Sequence, residues 1–271
     1  MNLLELQRFF ERDPGDVQQD PDAPRAHEAL LQALETGEIR AAERGLDGAW
    51  RANAWVKQAI LAGFRRTGLV EMEGPGFPMF DKSAFPPRHF NLADSVRLVP
   101  GGSAVRRGAC LAKGVVVIPP AYVNVGAYVG AGTMVDSHAL VGSCAQIGAR
   151  VHLSAGAQIG GVLEPAGAVP VVVEDDTFVG GLVGLFEGIV VRRRAVLASG
   201  VVITGSTVIY DLVHGRELRK EIPEGAVVVP GSRPASCDFA RERGLHLAAP
   251  MIVKYRDERT DAVTCLENAL R

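Results

Sequence analysis

From Val105 onward an aliphatic residue recurs at every sixth position. Leu111, Val117, Val123, Val129, Val135, Val141, Ile147, Leu153 and Ile159 follow in unbroken phase. The register slips by two between Ile159 and Val173, then resumes through Val179, Leu185, Val191, Leu197, Ile203 and Ile209. A period of six fits neither a helix nor a freely alternating strand. It is the hexapeptide pattern of a parallel β-helix, in which each repeat supplies one short strand and one turn. The aliphatic residue points into a narrow core, and three repeats close a triangular coil, so residues eighteen apart stack. Seventeen repeats make nearly six coils. The crossover expected here is left-handed, an exception to the usual rule. The slot after the aliphatic residue is small at Gly130, Gly142, Gly148, Ser154, Gly160 and Gly180. That predicts tight corners, with glycine allowing φ > 0. The slip, Glu164 to Pro170, predicts a short outward loop.

The flanks differ. Leu3, Leu4, Leu6, Phe9 and Phe10 lie at helical spacing, as do Ala26, Ala29, Leu30, Ala33 and Leu34, with Gly37 as the stop. A third helix is expected through Trp50, Trp55, Ile60 and Phe64, ending before Gly68. Gly74, Pro75, Gly76, Pro78, Pro86 and Pro87 predict a linker or connecting loop. Beyond the repeats, Ala226 to Pro230 reads as a terminal strand and Gly231 to Pro234 as a turn. Arg259 to Arg271 ends in a short helix that Thr260 caps. The division is a helical N-terminal domain (1–92), a mainly β, left-handed parallel β-helix (93–235) and a C-terminal extension (236–271).

Composition removes several function classes. With 29 basic and 31 acidic residues, the net charge of −2 leaves no footprint for nucleic acid or an anionic membrane. No stretch has the length of a membrane helix, and the N-terminus lacks a signal-peptide pattern. Cys110, Cys144, Cys237 and Cys265 lie too far apart for a CxxC metal motif or a disulfide framework. Reduced thiols in a cytoplasmic protein, with no metal, are expected.

The run Tyr122 to Gln146, YVNVGAYVGAGTMVDSHALVGSCAQ, with IGGVLEP at Ile159 to Pro165, resembles the tetrahydrodipicolinate N-succinyltransferases of lysine biosynthesis. The resemblance extends to Phe80–Lys82 and to VPGS at Val229–Ser232, and so covers nearly the whole chain. It implies a homotrimer with clefts between adjacent β-helices. It also implies succinyl transfer from succinyl-CoA to the amine of 2-amino-6-oxopimelate, with no permanently bound cofactor. The chemistry needs an amine held at a thioester carbonyl, removal of its proton and stabilisation of an oxyanion. An acetyl-CoA donor and a noncatalytic scaffold are the alternatives.

Asp136 matches the family's GTMVD aspartate, which the resemblance places at the substrate amine as base or positioning group. Arg97 in VRLVP matches the arginine that grips a substrate carboxylate, a task suited to a bidentate guanidinium. Arg106 or Arg107 could take that place. His138, two residues past Asp136, is a second candidate base, with a surface or subunit-interface histidine as its alternative. Arg233, Lys254 and Arg256 are candidates for the CoA phosphates, and Arg192–Arg194 read as a solvated face. The departure is Gly184, which stands where many family members carry a glutamate proposed to work with the aspartate. Glu187 lies at a different slot.

Overall fold

The computed structural model describes residues 1–72 and 78–257. Every hexad position from Val105 to Ile203 is the second residue of a two-residue strand, and Ile209 opens the strand Ile209–Asp211. Tyr128 pairs in parallel with Cys110 on one side and Gln146 on the other, eighteen residues away each time. The strands form three faces of six, ten and six strands. We refer to them by the outward residues Tyr128, Met134 and Gln158. The chain is thus a parallel β-helix.

The repeat holds a second inward slot that the aliphatic phase does not reveal. Ala109, Val115, Ala121, Ala127, Thr133, Ala139, Ala145, Val151 and Ala157 also recur every six residues and are buried in the same core. Beyond the excursion the slot continues through Val171, Thr177, Val183, Ile189, Ala195 and Val201. Thr133 is polar, but its hydroxyl donates to the Gly148 carbonyl at 2.8 Å and accepts the Val151 N–H at 3.0 Å.

Two expectations about the repeats need correction. Gly130, Gly142, Gly148, Gly160 and Gly180 do not adopt positive φ. That conformation falls two residues later, at Gly114, Gly126, Gly132, His138, Cys144 and Arg150. The earlier glycines are small because the next coil lies against them. A Cβ on Gly142 would stand 2.2 Å from the Gly161 nitrogen, and one on Gly130 would stand 2.5 Å from the Gly148 carbonyl carbon. The excursion at residues 160–171 is also larger than a two-residue slip. Gln146 pairs with Val172, twenty-six residues on, so the loop adds eight residues to a coil.

The N-terminal helices are α1 (Leu3–Phe10), α2 (Pro14–Gln19), α3 (Ala23–Thr36) and α4 (Ala54–Arg66). Gly37 ends α3 at φ 75°, where its N–H caps the Leu34 carbonyl. Trp50 is not helical: Ala42–Arg44 and Trp50–Ala52 form an antiparallel hairpin before α4. The expected linker is flanked by a second hairpin, Leu69–Met72 with Met79–Lys82. The helices pack on coil corners that lack side chains. A Cβ on Gly108 would meet Leu31 at 2.8 Å, and one on Gly126 would meet Ile60 at 2.9 Å. The Lys57 ammonium, buried under α4, donates to the Ala168 carbonyl of the excursion loop at 2.5 Å.

At the far end, Ser232–Pro234 is a strand rather than a turn, paired with His246–Ala248. Ala226–Val229 is the expected terminal strand, and Met251–Tyr255 pairs with both it and Ile209–Asp211. The sheet therefore continues past the boundary expected at residue 235. The helix expected near Thr260, and Cys265, lie outside the described residues.

Candidate active site

Arg97, Val116, Met134, His152 and Phe178 stack in register on the Met134 face. His152 therefore lies over Met134, not His138. Asp136 leaves the same coil at the corner leading to the Gln158 face. Two strand spacings separate Arg97 from Met134, roughly 10 Å along the stack, so Arg97 and Asp136 share one flank.

Asp136 is half-buried, and its backbone N–H donates to the Leu153 carbonyl at 2.9 Å. One carboxylate oxygen accepts the Ser137 N–H at 2.7 Å, which fixes the side chain against its own corner. The other takes no hydrogen bond from a described residue. A held carboxylate with one open oxygen can receive a proton from an incoming ammonium group or orient an amine.

Arg97 is exposed, and its guanidinium has no described partner. The competing arginines are occupied. Arg106 pairs with Asp81 and lies over the Phe64 and Phe85 rings. Arg107 bonds Glu35 at 2.6 Å and Glu28 at 2.8 Å. Both tie the N-terminal segment to the first coils, so Arg97 is the available one of the three.

His138 occupies the corner position with φ 61°. Its N–H donates to the Pro120 carbonyl at 2.5 Å, and its carbonyl accepts from the Gln158 amide at 3.1 Å. The exposed ring has no described hydrogen-bond partner, so nothing orients it as a base. Burial pushes the Cys144 thiol up to about 12, which makes it inert as a nucleophile.

Gly184 is buried on the Gln158 face. A Cβ there would come within 2.6 Å of the Phe186 ring, which lies over both Gly184 and Gly160. The volume that a side chain at 184 would enter is already filled by an aromatic one. The sequence reading missed Phe186, although residues two apart on a strand share a face. Glu187 turns to the corner and accepts the Gly205 N–H at 3.0 Å.

Arg233 is half-buried, with its guanidinium 3.5 Å from the Pro234 carbonyl. Lys254 is exposed, its ammonium 3.5 Å from Asp257. Lys254 lies five strands from Met134 on the same face, roughly 24 Å away. Arg256 donates to the Asp176 carbonyl at 2.9 Å. Arg192 is not part of a solvated face: it bonds Glu174 at 2.9 Å, Glu221 at 2.8 Å and the Gly48 carbonyl at 3.0 Å. Among the described residues no cluster of three or more His, Cys, Asp or Glu could hold a metal ion, and no helix is long and apolar enough to cross a membrane.

Residues 6–65 match the family model for the tetrahydrodipicolinate N-succinyltransferase N-terminal region. A 2,3,4,5-tetrahydropyridine-2,6-dicarboxylate N-succinyltransferase of Bradyrhizobium diazoefficiens is 44% identical, over 97% of this chain and 95% of that protein. Its namesake from Nitrobacter hamburgensis is 45% identical over 89% of each. A solved structure from Campylobacter jejuni, described as a 2,3,4,5-tetrahydropyridine-2-carboxylate N-succinyltransferase, shares the fold at 18% identity and a TM-score of 0.54. That match covers 84% of this chain and 62% of the other. The resemblance carried by GTMVD, VGSCAQ and IGGVLEP is thus matched by full-length kinship, and the chain belongs to the tetrahydrodipicolinate N-succinyltransferase family of acyltransferases.

Proposed function

We propose that this enzyme transfers a succinyl group from succinyl-CoA to the amino group of tetrahydrodipicolinate, opened as 2-amino-6-oxopimelate, on the route to diaminopimelate and lysine. The observation that carries the reading is near-full-length identity to proteins of that name. The flank with a partnerless Arg97 and a half-open Asp136 supports it. Arg97 holds a carboxylate of the acceptor through its planar fork. Asp136 accepts a proton from the acceptor amine, whose nitrogen attacks the thioester carbonyl. The C–N bond forms, the C–S bond breaks, and CoA leaves as a thiolate that takes up the proton. With Gly184 under Phe186, no second carboxylate assists from that position, so Asp136 acts alone with water. Arg233 and Lys254 steer the CoA phosphates.

We read the coil as left-handed, as the strict hexapeptide repeat favours, and the protein as a homotrimer. None of the three cavities beside the α1–α4 helices, the Trp50 hairpin and the Tyr128 face is lined by Arg97 or Asp136. The corner and face that follow Asp136 expose apolar side chains, with Val202 at 54% and Leu182 at 72%. Cyclic packing of these surfaces covers the apolar groups and makes three equivalent clefts. In this reading residues 1–92 brace the coil and 93–235 carry the chemistry, and of the extension expected over 236–271 the strand Met251–Tyr255 continues the sheet. Release of CoA is measured with succinyl-CoA and acetyl-CoA in parallel, using 2-aminopimelate as acceptor. The expected result is turnover with succinyl-CoA. Turnover with acetyl-CoA alone, or with neither donor, overturns the proposal.

A further inference from the structure

A cleft of about 550 Å³ lies between the Trp50 hairpin and the Tyr128 face, on a different side of the coil from Asp136. Its size suits a small-molecule ligand. Arg40 reaches it from the chain just beyond α3, and its guanidinium lies 3.7 Å from the Tyr128 ring centroid and 5.6 Å from that of Trp50. Its Nε donates to the Gln146 side chain at 2.8 Å. No described carboxylate comes within ion-pair distance, and neither terminal nitrogen has a described hydrogen-bond partner. Four of its five N–H donors are therefore uncommitted.

The other described charges lining the cleft have closer partners of opposite charge than Arg40 has, Asp175 being the loosest with Arg150 at 3.9 Å. Glu174 accepts from the Trp50 indole at 2.9 Å, from Arg192 at 2.9 Å and from the Arg193 N–H at 3.1 Å. Arg150 grips Asp176 with two bonds of 2.7 and 2.8 Å, and Asp175 accepts the Ala149 N–H at 2.8 Å. Arg193 pairs with Glu224, and Arg44 bonds the Gly48 carbonyl at 3.2 Å beside Glu174. Among the described residues Arg40 is thus the cation of the cleft with no carboxylate at ion-pair distance, partly desolvated, against two aromatic rings. An ion in that state is costly to hold without an opposite charge.

We propose that this cleft is a binding site for a small carboxylate anion, separate from the acyl-transfer site. The ring contacts of Arg40 leave its in-plane edge as the approach, and two coplanar N–H donors match the two oxygens of a carboxylate. A tetrahedral phosphate can use the same charge but matches the planar fork less well.

The test uses the two tryptophans of the chain, Trp50 and Trp55. In the full-length Trp55→Phe protein, Trp50 is the sole indole and reports directly on the cleft. Its emission is titrated with sodium succinate and with sodium phosphate at constant ionic strength. We expect a saturable change with succinate and binding at least tenfold weaker with phosphate. Arg40→Lys keeps the charge without the fork and should weaken succinate binding at least tenfold. Ala131→Phe fills the cleft from its exposed rim, leaves Arg40 in place and should abolish the change, which keeps the test open if the Arg40 variant misfolds. Arg97→Lys should leave the titration unaltered, so failure here is distinct from failure of the proposed reaction. No saturable change in folded protein, equal affinity for phosphate, or an unaltered curve with Ala131→Phe overturns the proposal.

Discussion

Glu174→Gln isolates the joint between the N-terminal hairpin and the coil. The carboxylate is buried, 8% exposed at the side chain, and receives the Trp50 indole, the Arg192 guanidinium and the Arg193 N–H. An amide keeps the shape and can still accept at the oxygen facing Trp50 and Arg192. Its NH₂ then faces the Arg193 N–H, donor against donor. The Trp50 bond falls to a neutral one and the Arg192 ion pair to a bond charged on the arginine side alone, each losing about 1 kcal/mol, and the third becomes an unsatisfied contact at a further ~1–3 kcal/mol. The expected destabilisation is about 3–5 kcal/mol, in the range for breaking a buried ion pair. Urea unfolding followed by circular dichroism, at fixed protein concentration because assembly shifts apparent stability, measures it. Arg193→Met removes only an exposed pair with Glu224 and should leave the urea midpoint close to that of the parent protein. A loss below ~1 kcal/mol for Glu174→Gln would refute the joint as described.

Asp136→Asn should lower kcat on the order of 10²-fold or more while leaving the succinyl-CoA KM close to its original value, whereas His138→Gln should do neither; steady-state kinetics on both variants decide between them. Arg97→Lys should raise the acceptor KM about tenfold and leave the donor KM unchanged, and an unmoved acceptor KM removes Arg97 from the site. Gly142→Ala should destabilise by about 1–3 kcal/mol, because the coil cannot part at the Gly161 nitrogen without breaking its ladder; a melting temperature equal to wild type would contradict that contact. Stability should also fall with acid. Burial alone would raise the Glu174 carboxyl, but the bonds from Trp50, Arg192 and Arg193 outweigh it and hold the group below its ordinary 4.5. At Asp211, too, burial opposes and is outweighed, by His214, Tyr255 and Arg216. Both therefore stabilise the fold above the ordinary carboxylate values and lose that contribution as pH falls below them toward the lowered folded-state values; urea midpoints that stay flat down to pH 3 would count against both networks.

The coil was legible because one slot per hexad must face inward, and ten successive hits leave no other periodicity. The hairpins were not. Ala42–Arg44 and Trp50–Ala52 are three residues each, too short for alternation to register, and Trp50 reads as the start of the apolar run through Trp55, Ile60 and Phe64. The second inward slot was hidden because alanine carries little hydrophobic signal. For the candidate site, motifs single out Asp136 and Arg97, while the reason for preferring Arg97 over Arg106 or Arg107 comes only from the partners those two arginines meet. Arg40 and Glu174 had no local signature. Arg40 meets Gln146 across 106 residues and Trp50 meets Glu174 across 124, and only the stacking register brings them together.

A coil built from identical rungs has no natural length, since each end offers the same unpaired backbone that the next rung would use. In this chain Met251–Tyr255 lies antiparallel across Ala226–Val229 on the Met134 face, with the Ile209–Asp211 and Arg216–Leu218 hairpin beyond it. The reversal in strand direction makes that edge a poor template for the first rung of another molecule. At the opposite end, the Arg88 N–H covers the Val105 carbonyl at 2.7 Å. These terminators set the particle's size and guard it against growing end to end into a fibre.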